Sequence, residues 1–378
     1  MDIRVAMIVF MRLGGIIFPY SHYLMCKLKE QGVDVALWGN TGLELPDRLQ
    51  VPYKSQLVFH RLRNFAPDLY KAYRGIAGSG ADIVHFQHST SPLPELMFTW
   101  AAHRKGMKVV FTAHDVLPHQ VRLQDRAYFG ALYRSVDAVI VHAEQNRKTA
   151  LELGVPASRV HVVPLGDFMH YDVPDAPARD QALQRLGYAP GAKVALFFGA
   201  IRPDKGLDVL IRAFKQVADA EPDARLLCVG PVKGDAEKAE SFYADIVDSL
   251  DLGDRVDLRF GYAPDEEVPV YFAASTVVVL PYRESTQSGV VQVAFATRRA
   301  VVASAVGGIP EVIDDGVTGR LVESGNTTQL ADAVLHYLGD QAGADEAGRQ
   351  GYQKARREYS WDIVAEKTIG IYKSVLGR

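Results

Sequence analysis

Short apolar runs alternate with amphipathic stretches along this chain. Runs rich in Val and Ile at residues 3–10, 33–38, 83–87, 108–112, 138–141 and 160–163 predict strands, and the stretches at 22–31, 94–105, 128–135 and 144–153 predict helices between them. The series restarts with strands at 194–198, 225–229, 256–260, 277–280 and 300–303, and helices at 207–219, 238–250 and 266–274. Such alternation specifies parallel sheets with helices on both faces. The predicted fold class is therefore α/β, with two doubly wound domains at 1–170 and 193–361. Residues 171–192, rich in Pro, Asp and Ala, predict a linker. After Trp361 an apolar-periodic stretch through Ile363, Ala365, Ile369, Ile371 and Val375 predicts a last helix at 362–378.

Composition narrows this picture. A chain of 378 residues, 48% hydrophobic, exceeds the size of most single cores, which fits two domains. A net charge of -3 speaks against a general nucleic-acid binder, which needs clustered basic surface. The two cysteines, Cys26 and Cys228, form no disulfide framework and fit a reducing compartment. The apolar run at 3–10 is too short to span a bilayer, and its flanks do not look like a signal peptide. The expectation is a cytoplasmic protein, with the inner face of a membrane as a surface it could rest on.

Candidate chemistry concentrates in the second half. The loop Tyr282, Arg283, Glu284, Ser285, Thr286, Gln287, Ser288 leads through Gly289 and Val290 into an amphipathic segment. An apolar strand at 300–304 then ends in Gly307 and Gly308, with Glu311 just beyond. This pattern predicts two helix N-termini facing one crevice at the carboxyl ends of neighbouring strands, a place suited to phosphate. The segment from Gly199 to Gly206 joins an apolar strand to a helix and carries Arg202 and Lys205. Two cations beside a helix N-terminus could hold an anionic ligand; a solvated loop with an Arg202–Asp204 ion pair is the plainer alternative. In the first half, Gly14 and Gly15 follow the first strand without the Gly-x-Gly-x-x-Gly dinucleotide fingerprint. His114 closes a strand beside Asp115, which could orient its ring. His85 and His88 invite a metal reading, but their spacing on a strand sends the side chains to opposite faces, and no Cys/His cluster has ligand spacing. No metal and no cofactor are expected. Two stretches mix bases with aromatics: Arg61, Arg63, Phe65, Tyr70, Lys71, Tyr73 and Arg74; then Arg122, Arg126, Tyr128, Phe129, Tyr133 and Arg134. They suit anionic headgroups or a lipid-diphosphate acceptor, or simply solvate the fold.

The second-half motifs resemble the donor-binding end of the family-4 retaining glycosyltransferases, and the likeness extends over essentially the whole chain. It implies the glycosyltransferase B fold: two Rossmann-like domains facing a cleft, the first binding acceptor, the second binding nucleotide sugar, and the C-terminal helix crossing back to the first. It implies sugar transfer from a nucleotide-diphosphate donor to an acceptor hydroxyl with retained configuration, independent of metal, in surface polysaccharide or glycolipid assembly. The partners implied are a nucleotide sugar and a lipid-linked saccharide or small-molecule acceptor, with a possible peripheral membrane contact and no nucleic acid. On the same resemblance His114, Arg202, Lys205 and Glu284 are the catalytic set. Gly14, Gly15, Gly199, Gln287, Ser288, Gly289, Val290, Gln292 and Glu311 are the donor-binding set. The family's second glutamate, eight positions after the first, is absent: Gln292 stands eight after Glu284, and Val293 eight after Ser285. Rival readings are a nucleotide-sugar 2-epimerase, a non-catalytic nucleotide-sugar-binding partner, and a nicotinamide dehydrogenase, the last disfavoured by the missing fingerprint.

Overall fold

The computed structural model describes residues 3–9, 17–40, 53–57, 65–88, 92–118, 121–122 and 124–378. The chain forms two compact units, Met1–Gly166 with Tyr359–Arg378, and Asp167–Glu358. In the first, seven strands run parallel: β1 (Arg4–Val9), β2 (Asp34–Asn40), β3 (Tyr53–Leu57), β4 (Ile83–Phe86), β5 (Lys108–Thr112), β6 (Ala138–Val141) and β7 (Val160–Val162). Their order is β3-β2-β1-β4-β5-β6-β7, with Val5 of β1 level with Val35 and Ile83 on its two sides. All side chains of β4 and β6 are buried, which is why β6 reads as an unbroken apolar run and β4 as one interrupted only by His85. The direction of travel across the sheet reverses after β3. Right-handed connections therefore put the helix Ile17–Glu30 on one face and the helices Phe65–Ala77, Pro92–His103 and Asp125–Ser135 side by side on the other.

The second unit repeats the plan with β8 (Lys193–Phe198), β9 (Ala224–Gly230), β10 (Val256–Phe260), β11 (Val277–Leu280), β12 (Ala300–Ser304) and β13 (Gly319–Val322). Their order is β10-β9-β8-β11-β12-β13. Helix Leu207–Ala220 shows why the pattern is legible: Leu207, Leu210, Ile211, Phe214 and Val217 recur at helical spacing and all are buried. The reversal point of this sheet lies between β8 and β11, so the loops that leave these two strands sit side by side at their carboxyl ends.

The predicted linker at 171–192 needs correcting. It belongs to the second unit and contains the helix Arg179–Leu186, whose Ala182 and Leu183 enter the core. Arg179 donates from Nη2 to the Ala192 carbonyl at 2.9 Å and to Thr276 Oγ1 at 2.5 Å, tying the helix to its own unit. The last helix, Trp361–Leu376, does return to the first unit. Ser360 caps it, Trp361 packs edge-on against Tyr20 at 5.2 Å, and the Tyr372 hydroxyl lies 2.6 Å from His85 Nδ1.

Candidate functional site

Two loops leave the switch point of the second sheet. The first runs from Gly199 to Gly206, and the second from Pro281 to Ser288. Gly206 has φ +65°, and a Cβ there would lie 2.0 Å from the Pro281 carbonyl oxygen, so glycine lets the loops touch backbone to backbone. Arg283 then ties them: its backbone N–H donates to the Asp204 carbonyl at 2.8 Å and its guanidinium to the Pro203 carbonyl at 2.7 Å. The same guanidinium grips both carboxylate oxygens of Asp208 at 2.8 and 2.6 Å. Burial pushes the Asp208 carboxyl up, but Arg283 outweighs that and holds it below its ordinary value. From the third side Gly307 (φ +55°) presses onto the Ser285 carbonyl, leaving no room for a side chain, and Gly308 N–H donates to the Thr286 carbonyl.

These loops bring together much of the predicted set. Arg202 Nη2 and Lys205 Nζ share one carboxylate, Asp204 Oδ2, at 2.8 and 4.0 Å. Arg202 Nε is buried with no hydrogen-bond partner among the described residues. The expected Arg202–Asp204 pair thus exists, yet it does not use up the guanidinium. Lys205 is held from below by Tyr282, whose ring centroid lies 3.8 Å from the ammonium. Burial pushes the Tyr282 phenol up to about 12, partly offset by its hydrogen bond with Ser288. Ser288 precedes the helix Gly289–Ala296, and Val290 on its first turn lies 3.5 Å from where a Cβ on Gly199 would stand. Ser285 Oγ donates to the Gln287 carbonyl at 2.8 Å, rigidifying the loop ahead of that helix.

Other expectations fare differently. Only one of the two predicted helix N-termini has a helix of any length behind it. Ile309–Val312 is a single turn, because Pro310 can start a helix but Ile313 already has extended backbone, so Glu311 stands exposed on a short turn with little dipole. Glu284 is exposed at the loop crest, and Gln292 is buried in its helix with Oε1 lacking a partner among the described residues. Gly14, Gly15, Arg61 and Arg63 lie outside the described residues.

In the first unit His114 follows β5 and is buried, and its ring is set by His142 at the end of β6. His142 Nδ1 lies 2.9 Å from the Val163 carbonyl, which requires a proton on that nitrogen. Neutral His142 then accepts at Nε2 from His114 Nδ1, 3.1 Å away, and His114 carries its lone pair on Nε2. Burial, then the neighbouring His142, His88 and His85, hold the His114 imidazole well below its ordinary value, so the ring is neutral. Tyr20 packs edge-on against both rings, at 4.8 and 5.0 Å. His85 is occupied in structure, bonded to Tyr372 and, at 2.7 Å, to Thr112 Oγ1. Sequence reasoning named Tyr282 and Arg283 as part of the candidate loop but gave them no role, and it missed His142.

A doubly wound sheet whose switch-point loops gather two cations and a helix N-terminus defines an anion-binding unit of the Rossmann kind. Comparison with known proteins makes this specific. A model of glycosyltransferase family 4 matches residues 19–166, and a model of group 1 glycosyl transferases matches residues 192–340. The chain belongs to this glycosyltransferase family. It is 32% identical over 247 residues to the D-inositol 3-phosphate glycosyltransferase of Nocardia farcinica, covering 64% of this chain and 53% of that protein. It is 33% identical over 239 residues to the lipopolysaccharide 1,2-N-acetylglucosaminetransferase of Salmonella typhimurium, covering 61% of each. The matched stretches thus span under two thirds of those relatives' own lengths. Among solved structures, Anabaena HepE in complex with UDP superposes with a TM-score of 0.82 at 18% identity, over 98% of this chain and 100% of that one. The fold is that of the B-type glycosyltransferases.

Proposed function

We propose that the protein transfers a glycosyl group from a nucleoside-diphosphate sugar to an acceptor hydroxyl, with the anomeric configuration retained. One observation carries this reading. Arg202 and Lys205 stand together at the switch point of the second sheet, sharing a single carboxylate beside the N-terminus of the helix Gly289–Ala296. A diphosphate entering there would meet two cationic side chains and a buried guanidinium N–H in need of an acceptor. The relatives named as glycosyltransferases, and HepE with UDP bound, support the nucleotide-sugar donor.

In this reading the acceptor hydroxyl attacks the anomeric carbon from the face the diphosphate leaves, and a leaving-group oxygen takes the hydroxyl proton. Arg202 and Lys205 stabilise the charge that grows on that oxygen. Glu284 positions the sugar, Gln287 and the backbone around Ser288 and Gly289 hold the diphosphate, and neutral His114 contacts sugar or acceptor as a hydrogen-bond partner without charge. The acceptor is a saccharide of a surface polysaccharide or glycolipid, in keeping with the name of the Salmonella relative.

Thermal unfolding with UDP, GDP, dTDP, ADP and NAD in turn tests the donor. At one hundred times its dissociation constant a true ligand adds about 2.7 kcal/mol, a shift of several degrees. Lys205→Ala is expected to lower kcat about 10²–10³-fold with the unfolding midpoint little changed. Stabilisation by NAD alone, or unchanged turnover in the variant, would overturn the reading.

A further inference from the structure

The helix Pro92–His103 is apolar on the side where it should meet water. Its inner face buries Pro94, Phe98, Thr99 and Ala102, yet Leu93, Met97 and Trp100, spaced as one stripe, are 66%, 56% and 63% exposed. Tyr70 and Tyr128 stand exposed on the two helices beside it. Six of the nine large apolar side chains that stand most exposed among the described residues belong to this helical layer or the segment leading into it, the sixth being Val121.

Cations frame the stripe. The Arg104 guanidinium lies 4.9 Å from the Trp100 ring and that of Arg74 6.0 Å from the Tyr70 ring. Lys71, Lys105 and Arg122 are exposed around them. None of these five side chains forms an ion pair among the described residues, although the Arg122 backbone N–H donates to the Asp125 carboxylate at 2.7 Å. The ion pairs nearby join Arg126 to Glu152 at 3.4 Å and, at the C-terminal end of the central helix, His103 and Lys108 to Asp137 at 2.8 and 3.1 Å, while Glu95, the acid of the central helix, is buried. Amphipathic rings at the centre with long cationic side chains around them match the boundary of an anionic bilayer, where rings sit at headgroup depth and cations reach the phosphates. A second copy of the chain fits poorly, since two such faces would bring like charges together.

We propose that this three-helix face of the first unit docks on anionic phospholipid membrane, with Leu93, Met97 and Trp100 entering the headgroup layer. The inference is independent of the reaction assigned to the second unit. The chain supplies its own reporter: of its three tryptophans, Trp38 and Trp361 are 2% and 8% exposed, so an emission change on docking comes from Trp100.

The experiment mixes the full chain with vesicles of phosphatidylcholine alone and with about one third phosphatidylglycerol, following emission, quenching by brominated acyl chains and co-sedimentation. Only the anionic vesicles are expected to shift emission to the blue, quench it and pellet the protein. Replacing Leu93 and Met97 by Ser is expected to weaken pelleting about tenfold or more, and Arg104→Gln with Lys105→Gln about tenfold, with unfolding midpoints unchanged because all four side chains are exposed. Unshifted emission without pelleting overturns the proposal. So does equal binding to neutral vesicles, or a dimer broken by Met97→Glu that ignores vesicles and marks the face as a protein interface.

Discussion

Tyr282 is buried with its ring beneath the Lys205 ammonium and its hydroxyl bonded to Ser288, so one side chain holds both the cationic loop and the entry to the helix Gly289–Ala296. The ring supports the cation, and a ring without the hydroxyl should therefore suffice for Lys205. Tyr282→Phe is expected to keep kcat within about threefold, whereas Tyr282→Leu, which removes about 1 kcal/mol of cation–π support, should lower it about tenfold with KM for acceptor unchanged. Steady-state kinetics on the two variants separate the ring's contribution from the hydroxyl's. Arg202 and Lys205 were legible in the sequence because a strand, a glycine loop and a helix follow one another within a short span. Tyr282 and His142 were not, since their roles come from side chains far along the chain: His142 meets His114 across 28 residues. Periodicity reports which face a residue occupies and says nothing of what crosses that face.

Arg283 acts on whole elements, joining the turn at Pro203–Lys205, the first turn of the helix Leu207–Ala220 and the loop after β11. Cutting this tie should loosen the turn that carries Lys205. Arg283→Ala is expected to cost about 1 kcal/mol, discounted because the side chain is 41% exposed, and to weaken nucleoside-diphosphate binding several-fold. Denaturant unfolding and calorimetric titration check the two parts. The pH sign follows from Asp208, whose folded carboxyl titrates lower than it does unfolded. Its contribution is complete above the ordinary carboxylate range and disappears as pH falls through the folded value, so wild type and Arg283→Ala should converge in acid. At this scale the sequence was most informative where burial on both faces makes a strand apolar throughout. It was silent on β3, which carries Lys54, Ser55 and Gln56 at the sheet edge, and on β13, which is four residues long. The helix Arg179–Leu186 escaped notice because only Ala182 and Leu183 of its eight residues are buried, too few to show a period.

Across the whole molecule titratable imidazole is unevenly spread: of 11 histidines only His170 and His336 belong to the second unit. Burial lowers His142 to about 4 and His85 to about 3, while the unfolded chain protonates both near 6.5. Between those values the unfolded chain takes up protons that the folded unit refuses. Stability is therefore complete above about 6.5 and falls as the medium is acidified toward 4. Acid sensitivity should reside in the first unit, and His142→Asn should flatten the fall between pH 6.5 and 4 in denaturant midpoints, at some cost near neutrality. The same unit is assembled from both ends of the sequence. His85 and Tyr372 are separated by 287 residues, an interval a ribosome covers in about 15–60 s. For that time a nascent first sheet has its seats for Trp361 and Tyr372 uncovered, while the second unit emerges and can finish first. The earlier-made unit is the later one to be completed, and its bare apolar seat is where a holding chaperone would act until the polypeptide's own last helix displaces it.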